Sequence, residues 1–184
     1  YLSPQLRQRR ALFYLTAFFF LMQLYRCHFL IYPTSVYRSE AIVEKDGICH
    51  QSSAYTCGPA SVVSLLNIHQ IRRTEGQMAQ DCLTIPNGGT TIHQVCYGVN
   101  KALKQEGRKD NYRLISIKSM NGPHELAYPA LVAVKLENIN HMVCLKGVEN
   151  GHVILLDPHF GGTLWTWDAL KSRALGGVIA ARGK

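Results

Sequence analysis

Apolar residues follow three different rhythms along this chain. From Ala11 to Tyr25 (ALFYLTAFFFLMQLY) they cover every side of a helix, with Thr16 and Gln23 the only clearly polar side chains, whereas a soluble amphipathic helix keeps one face polar. A further apolar patch, Phe29 to Tyr32, follows Arg26, Cys27 and His28. The second rhythm is helical and globular. Ala60 to Ile68 (ASVVSLLNI) is almost continuously apolar and starts straight after Gly58-Pro59, which predicts a buried central helix with proline in its first turn. Thr74 to Leu83 predicts a short polar helix, Asn87-Gly88-Gly89 a turn, and Thr90 or Thr91 a cap for a helix running to Gln105. On that last helix Ile92, Val95, Cys96, Val99 and Leu103 share one face, and Gly107 stands where a stop belongs.

The third rhythm is that of strands. Tyr112 to Ile117, Ala130 to Leu136, His141 to Val148, Val153 to Leu156 and Gly177 to Ala181 are short β-branched-rich runs, separated by turn sequences such as Asn121-Gly122-Pro123 and Glu149-Asn150-Gly151. Helices first and strands second predict an α+β domain with an antiparallel sheet. The clearest hairpin joins His141 to Val148 with Val153 to Leu156.

The first 32 residues predict a membrane anchor. Arg7, Arg9 and Arg10 precede the apolar run, and no small-residue cleavage site follows it, so a signal anchor is favoured over a cleavable signal peptide or a buried or interfacial helix. A full span needs about 20 apolar residues, so the helix would have to continue to Tyr32 with Arg26 snorkelling. The arginine bias places the N-terminus in the cytoplasm and the domain outside, on the periplasmic side of a bacterial inner membrane. Residues 33–43 read as a linker, and residues 44–184 as the folded domain.

Composition narrows the function. The chain has 184 residues, 47% hydrophobic and 17% charged, which predicts one packed core and no disordered array. Half of the net charge of +8 falls in the first 40 residues, and no aromatic-plus-basic stripe marks the rest, so nucleic acid is not an expected partner. Six cysteines without paired spacing suggest neither a disulfide scaffold nor a zinc site. No metal and no cofactor is expected. Cys82, Cys96 and Cys144 sit within apolar patterns and read as small core residues.

Cys57 is different, because it stands between the polar stretch Gln51 to Thr56 and the buried helix. A thiol at a helix start faces unpaired N–H groups and the positive end of the dipole, which favour thiolate. A cysteine nucleophile also needs an imidazole base and a group to orient it. His141 at the head of one strand and Asp157 at the close of the next come to one edge of the sheet. Gln51, six residues before Cys57, can supply an oxyanion amide beside the Cys57 backbone N–H. Each residue alone has a plain reading: a buried cysteine, a strand-end histidine, a turn aspartate, a surface glutamine. The ordered set points to peptide-bond chemistry.

Three segments carry a resemblance: Gln51-Ser52-Ser53-Ala54-Tyr55-Thr56-Cys57-Gly58-Pro59-Ala60-Ser61, then His141 to Val148, then Leu156-Asp157-Pro158 with Gly161-Gly162 after it. Over residues 44 to 182 the chain resembles the papain-like bacteriocin-processing peptidases, the double-glycine-leader enzymes of the thirty-ninth cysteine peptidase family. The resemblance implies a papain-like fold with helices packed on an antiparallel sheet. It also implies catalytic roles for Cys57 (nucleophile), His141 (base), Asp157 (orienter) and Gln51 (oxyanion residue), and cleavage of a peptide or protein substrate after small residues such as Gly-Gly. Trp165 to Ala181 resembles the family's closing helix and strand. Many members place this domain ahead of the membrane part of an exporter, whereas here one hydrophobic segment precedes it. A membrane-protein partner is therefore expected. The rival reading is a non-catalytic accessory subunit of a membrane-associated assembly that keeps the fold for binding.

Overall fold

The structure, a computed structural model, describes residues 4–31 and 35–181. Tyr32 to Thr34, where the expected anchor meets the expected linker, lie outside the described residues. The chain divides into two units, residues 1–34 and 35–184.

The first unit is the helix α1 (Pro4–Ile31). Leu12, Phe13, Phe18, Phe19, Phe20 and Leu21 are all exposed on it. The helix forms as its composition predicts, but the expectation of a membrane span is corrected: among the described residues no helix is long and apolar enough to cross a membrane. The apolar run Ala11 to Tyr25 is 15 residues long and is bounded by Arg10 and Arg26, short of the roughly 20 residues a bilayer core demands. The orientation inferred from the arginines presupposed a span and lapses with it.

The second unit is the expected α+β domain. After α2 (Cys57–Ile68), α3 (Glu75–Asp81) and α4 (Ile92–Gln105) come β1 (Tyr112–Ser116), β2 (Ala130–Leu136), β3 (Ile139–Glu149), β4 (His152–Asp157), β5 (Gly161–Thr166), α5 (Trp167–Arg173) and β6 (Ala174–Ala181). The six strands form one antiparallel sheet in the order β1-β6-β2-β3-β4-β5. Alternation along the strands divides two cores between its faces. Leu131, Met142, Cys144, Leu156 and Ile179 pack with α2 and α4. Val132, Val143, Leu145, Leu155 and Val178 pack with Trp167 and Leu170 of α5. Burial on both faces explains why these strands read as nearly unbroken apolar runs.

Helix starts follow side-chain chemistry. Thr74 and Thr91 each form a capping box, with Gln77 and Gln94 respectively. The helix expected to reach Leu83 stops at Asp81, because Leu83 adopts a left-handed backbone (φ 52°). The expectation of a linker over 33–43 is also corrected where residues are described. Ser35–Arg38 is a 3-10 helix whose Val36 and Tyr37 are buried against Ala79. The Tyr37 hydroxyl donates to the Thr84 carbonyl at 2.6 Å, and Glu75 N–H donates to the Ala41 carbonyl at 2.8 Å. This segment is a strap on α3. Its close approach needs Gly76, where a Cβ would lie 2.6 Å from the Tyr37 carbonyl and 2.7 Å from that of Ser39.

Candidate active site

The cleft begins at the start of α2. Thr56 precedes the helix, but its hydroxyl is committed to the preceding turn, donating to the Ser53 carbonyl at 3.0 Å and accepting from Ser53 N–H at 3.2 Å. No side chain caps the helix, and Pro59 has no N–H to offer. Backbone donors at Cys57 and Gly58 are thus left for a developing negative charge. Cys57 itself is half-buried. Gly58 lets α2 pack tightly, since a Cβ there would sit 3.1 Å from Val95 and 3.2 Å from Thr90.

The facing wall is the hairpin β3–β4. Its two-residue turn, Asn150-Gly151, has both residues left-handed (φ 49° and 77°), the geometry that Asn-Gly supplies and that matches strand twist. The turn pairs Glu149 with His152 and, with one register shift, Cys144 with Leu156, so His141 and Asp157 meet at the far end. His141 is the third residue of β3 and not its first, because the strand extends back to Ile139 through pairing with Leu136.

His141 and Asp157 are buried, 5% and 3% exposed, and His141 Nε2 lies 2.8 Å from Asp157 Oδ1. The same carboxylate oxygen accepts the backbone N–H groups of His159 at 2.8 Å and Phe160 at 3.0 Å. Burial would raise the Asp157 carboxyl, but these hydrogen bonds and the imidazole outweigh it and hold it below its ordinary range. Burial likewise works to lower His141, but hydrogen bonds and charge from Asp157 and from Cys57 prevail and raise it to about 9. With Nε2 engaged by Asp157, the nitrogen left for the Cys57 sulfur is Nδ1.

Cys57, His141, Met142, Tyr55, Gly89 and Thr90 line one cleft of about 460 Å³. Gln51 is not among its lining residues. It heads the same loop, with its backbone N–H donating to the Pro158 carbonyl at 2.9 Å and its side-chain Nε2 donating to the Ser53 carbonyl at 2.9 Å. One amide proton of Nε2 remains uncommitted by that bond, while Oε1 is buried without a partner. Among the described residues no group of three His, Cys, Asp or Glu side chains is placed to hold a metal ion.

Several contributors were invisible in the sequence. The Asn87-Gly88-Gly89 turn reads as a turn, but nothing in it reveals that it forms a wall of this cleft, or that Leu175 of β6 reaches the same space. Phe160, 66% exposed, sets its ring edge-on to His141 at 6.3 Å between centroids.

The sequence profile of the Peptidase C39 family matches residues 45–174. An uncharacterised protein of Methanothermobacter thermautotrophicus is 25% identical over 114 residues, covering 62% of this chain and 72% of that protein. Among solved structures, a double glycine motif protease from an AMS/PCAT transporter, in complex with the leader peptide, superposes with a TM-score of 0.58 at 21% identity, covering 80% of this chain and 96% of that one. The peptidase domain of Streptococcus ComA, a bifunctional ABC transporter of a quorum-sensing pathway, gives 0.56 at 23% identity, covering 73% and 96%. At these identities the two likenesses are likenesses of fold.

Proposed function

The chain belongs to the Peptidase C39 family, and on that premise we propose that Cys57, His141, Asp157 and Gln51 carry out cysteine-peptidase chemistry on a peptide cut after two small residues. The observation that carries this reading is the buried His141–Asp157 pair, 2.8 Å apart, set beside a cysteine at an uncapped helix start.

Cys57, as thiolate, attacks the scissile carbonyl carbon, and the carbonyl oxygen takes the negative charge. Backbone N–H at Cys57 and the uncommitted amide proton of Gln51 stabilise that oxyanion. Protonated His141 gives its proton to the leaving amine as the C–N bond breaks, leaving a thioester on Cys57. Neutral His141 then takes a proton from water, whose oxygen attacks the thioester, and the acid product leaves with Cys57 restored. Asp157 holds the ring and stabilises the imidazolium.

Preference for small residues before the cut is supported by the cleft, one wall of which is the glycine backbone of Gly88 and Gly89, and by the fold shared with a double glycine motif protease. The test compares peptides identical except for Gly-Gly or Leu-Leu before one bond, with products read by mass spectrometry. Cleavage of the Gly-Gly peptide alone, absent in Cys57→Ala, is expected. Cleavage that persists in Cys57→Ala, or no preference between the peptides, overturns the reading.

The N-terminal unit extends the proposal to a partner. Between Ala11 and Tyr25 α1 is apolar on all sides, with no polar face there on which to lie at a lipid surface. This supports cover of α1 by the apolar helices of a membrane protein.

A further inference from the structure

We propose that Glu75 is a positioning residue for the oxyanion side of this site, held in turn by Ser39 of the strap; the inference rests on the peptidase reading above. Glu75 opens α3 and is fully buried. Its Oε1 accepts the backbone N–H of Ser52 at 2.9 Å, and its Oε2 accepts the Ser39 hydroxyl at 2.6 Å. Among the described residues no Lys or Arg forms an ion pair with it. Burying a carboxyl group without a cation is costly, and an apolar side chain would serve packing better. The group is therefore explained by what it holds.

It holds the neighbour of Gln51. The head of the catalytic loop is pinned twice: Gln51 N–H to the Pro158 carbonyl from the sheet side, Ser52 N–H to Glu75 from the helix side. Side-chain packing joins the loop to the strap farther along, where Tyr55 lies against Val36, Tyr37 and Ala79, but at Ser52 a gap of about 270 Å³, lined also by Val36, Ser39, Ser53 and Tyr55, leaves the backbone bond to Glu75 to hold the loop head. Without the carboxylate, residues 51 and 52 are free to pivot about the Pro158 bond and carry the Gln51 amide with them. The strap fixes the carboxylate in return, through the Ser39 hydroxyl and through Gly76 N–H to the Ser39 carbonyl at 3.0 Å. Ser39 lies ahead of the stretch that the family profile matches.

The experiment uses the full chain with Glu75→Ala, Glu75→Gln and Ser39→Ala. Three readouts are compared: amide hydrogen exchange at Ser52, the rate of Cys57 alkylation by iodoacetamide, and kcat and KM on a Gly-Gly peptide. Alkylation uses Cys57 and His141 but no oxyanion donor. In Glu75→Ala, exchange at Ser52 should be about 10-fold faster and kcat about 10-fold lower or more, with KM and alkylation unchanged. Glu75→Gln should keep exchange at Ser52 and kcat near wild type, since its amide oxygen still accepts from Ser52 and its N–H donates to the Ser39 hydroxyl. Unchanged exchange and kcat in Glu75→Ala overturn the proposal, as does a loss of alkylation equal to the loss of turnover. Should Glu75→Ala fail to fold, Ser39→Ala decides: faster exchange at Ser52 with normal alkylation supports the proposal, and wild-type exchange overturns it. A wild-type chain without peptide turnover sinks the peptidase reading alone, because exchange at Ser52 still decides what Glu75 holds.

Discussion

The Ser61 hydroxyl donates to the Met142 carbonyl at 2.9 Å, a buried bond between residues 81 apart in sequence. Ser61 lies about one helical turn beyond Cys57, and Met142 follows His141. One hydrogen bond thus pins the helix that carries the sulfur to the strand that carries the imidazole. Ser61→Ala should cost about 1–2 kcal/mol of stability and lower kcat about 10-fold through a looser sulfur–imidazole geometry. Chemical denaturation and steady-state kinetics measure the two effects. An unchanged kcat would show that the contact is structural only.

The His141–Asp157 pair ties stability to pH. His141 is raised from 6.5 to about 9 in the folded chain, so its stabilisation is complete below the unfolded value and is lost as pH rises through about 9. Asp157, held low, acts in the opposite sense, and its contribution is lost as pH falls below the ordinary carboxylate range. Stability should therefore fall in wild type relative to Asp157→Asn as pH rises from 6.5 through about 9, and melting temperatures of the two proteins across that window measure it. Parallel curves over that window would contradict the shift.

Thiol reactivity should single out Cys57 within the domain. Burial, aided by Glu75 and Glu44, pushes Cys49 up to about 12, and burial also raises Cys82, Cys96 and Cys144. Near neutral pH a peptide electrophile should modify Cys57, with exposed Cys27 taking only generic alkylators. Mass spectrometry of the labelled protein checks this; label on Cys49 would move the nucleophile.

If Gln51 serves the oxyanion as proposed, Gln51→Ala should reduce kcat by about 100-fold while KM changes little. A rise in KM at constant kcat would instead assign Gln51 to substrate binding.

Deletion of residues 1–34 should leave the domain folded. Its buried clusters are drawn from residues 36–180 among those described. The melting temperature of the truncated chain tests this directly, and a large drop would show that α1 supports the fold.

Legibility in the sequence followed the range of the interactions. The β3–β4 hairpin was readable because Asn150-Gly151 dictates its turn locally, and α4 because Ile92, Val95, Cys96, Val99 and Leu103 repeat on one helical face behind a threonine cap. Strand β5 was not: Gly161 to Thr166 has an exposed, glycine-rich pattern and is a strand only by pairing with β4. Val36 and Tyr37 are too short a run to show a period, so the strap read as a linker. Glu75 resembles any acidic residue in a first helical turn, and its burial depends on Ser39 and Ser52, distant in sequence. The meeting of His141 with Asp157 was legible because one hairpin carries both, but the turning of the Gln51 amide onto the Ser53 carbonyl arises only in the folded loop.

The two halves of the site differ in how far apart they begin. His141 and Asp157 are separated by 16 residues within one hairpin, whereas the Ser61–Met142 tie closes a loop of 81. Chain-closure entropy makes the longer contact about 1.5 kcal/mol harder to form, and long-range contacts set the pace of folding. The imidazole and its carboxylate can therefore assemble as soon as the hairpin does, while the sulfur joins them only when the helical half docks. Recovery of turnover on refolding is then a clock for docking of the two halves, running behind any signal that reports the hairpin alone.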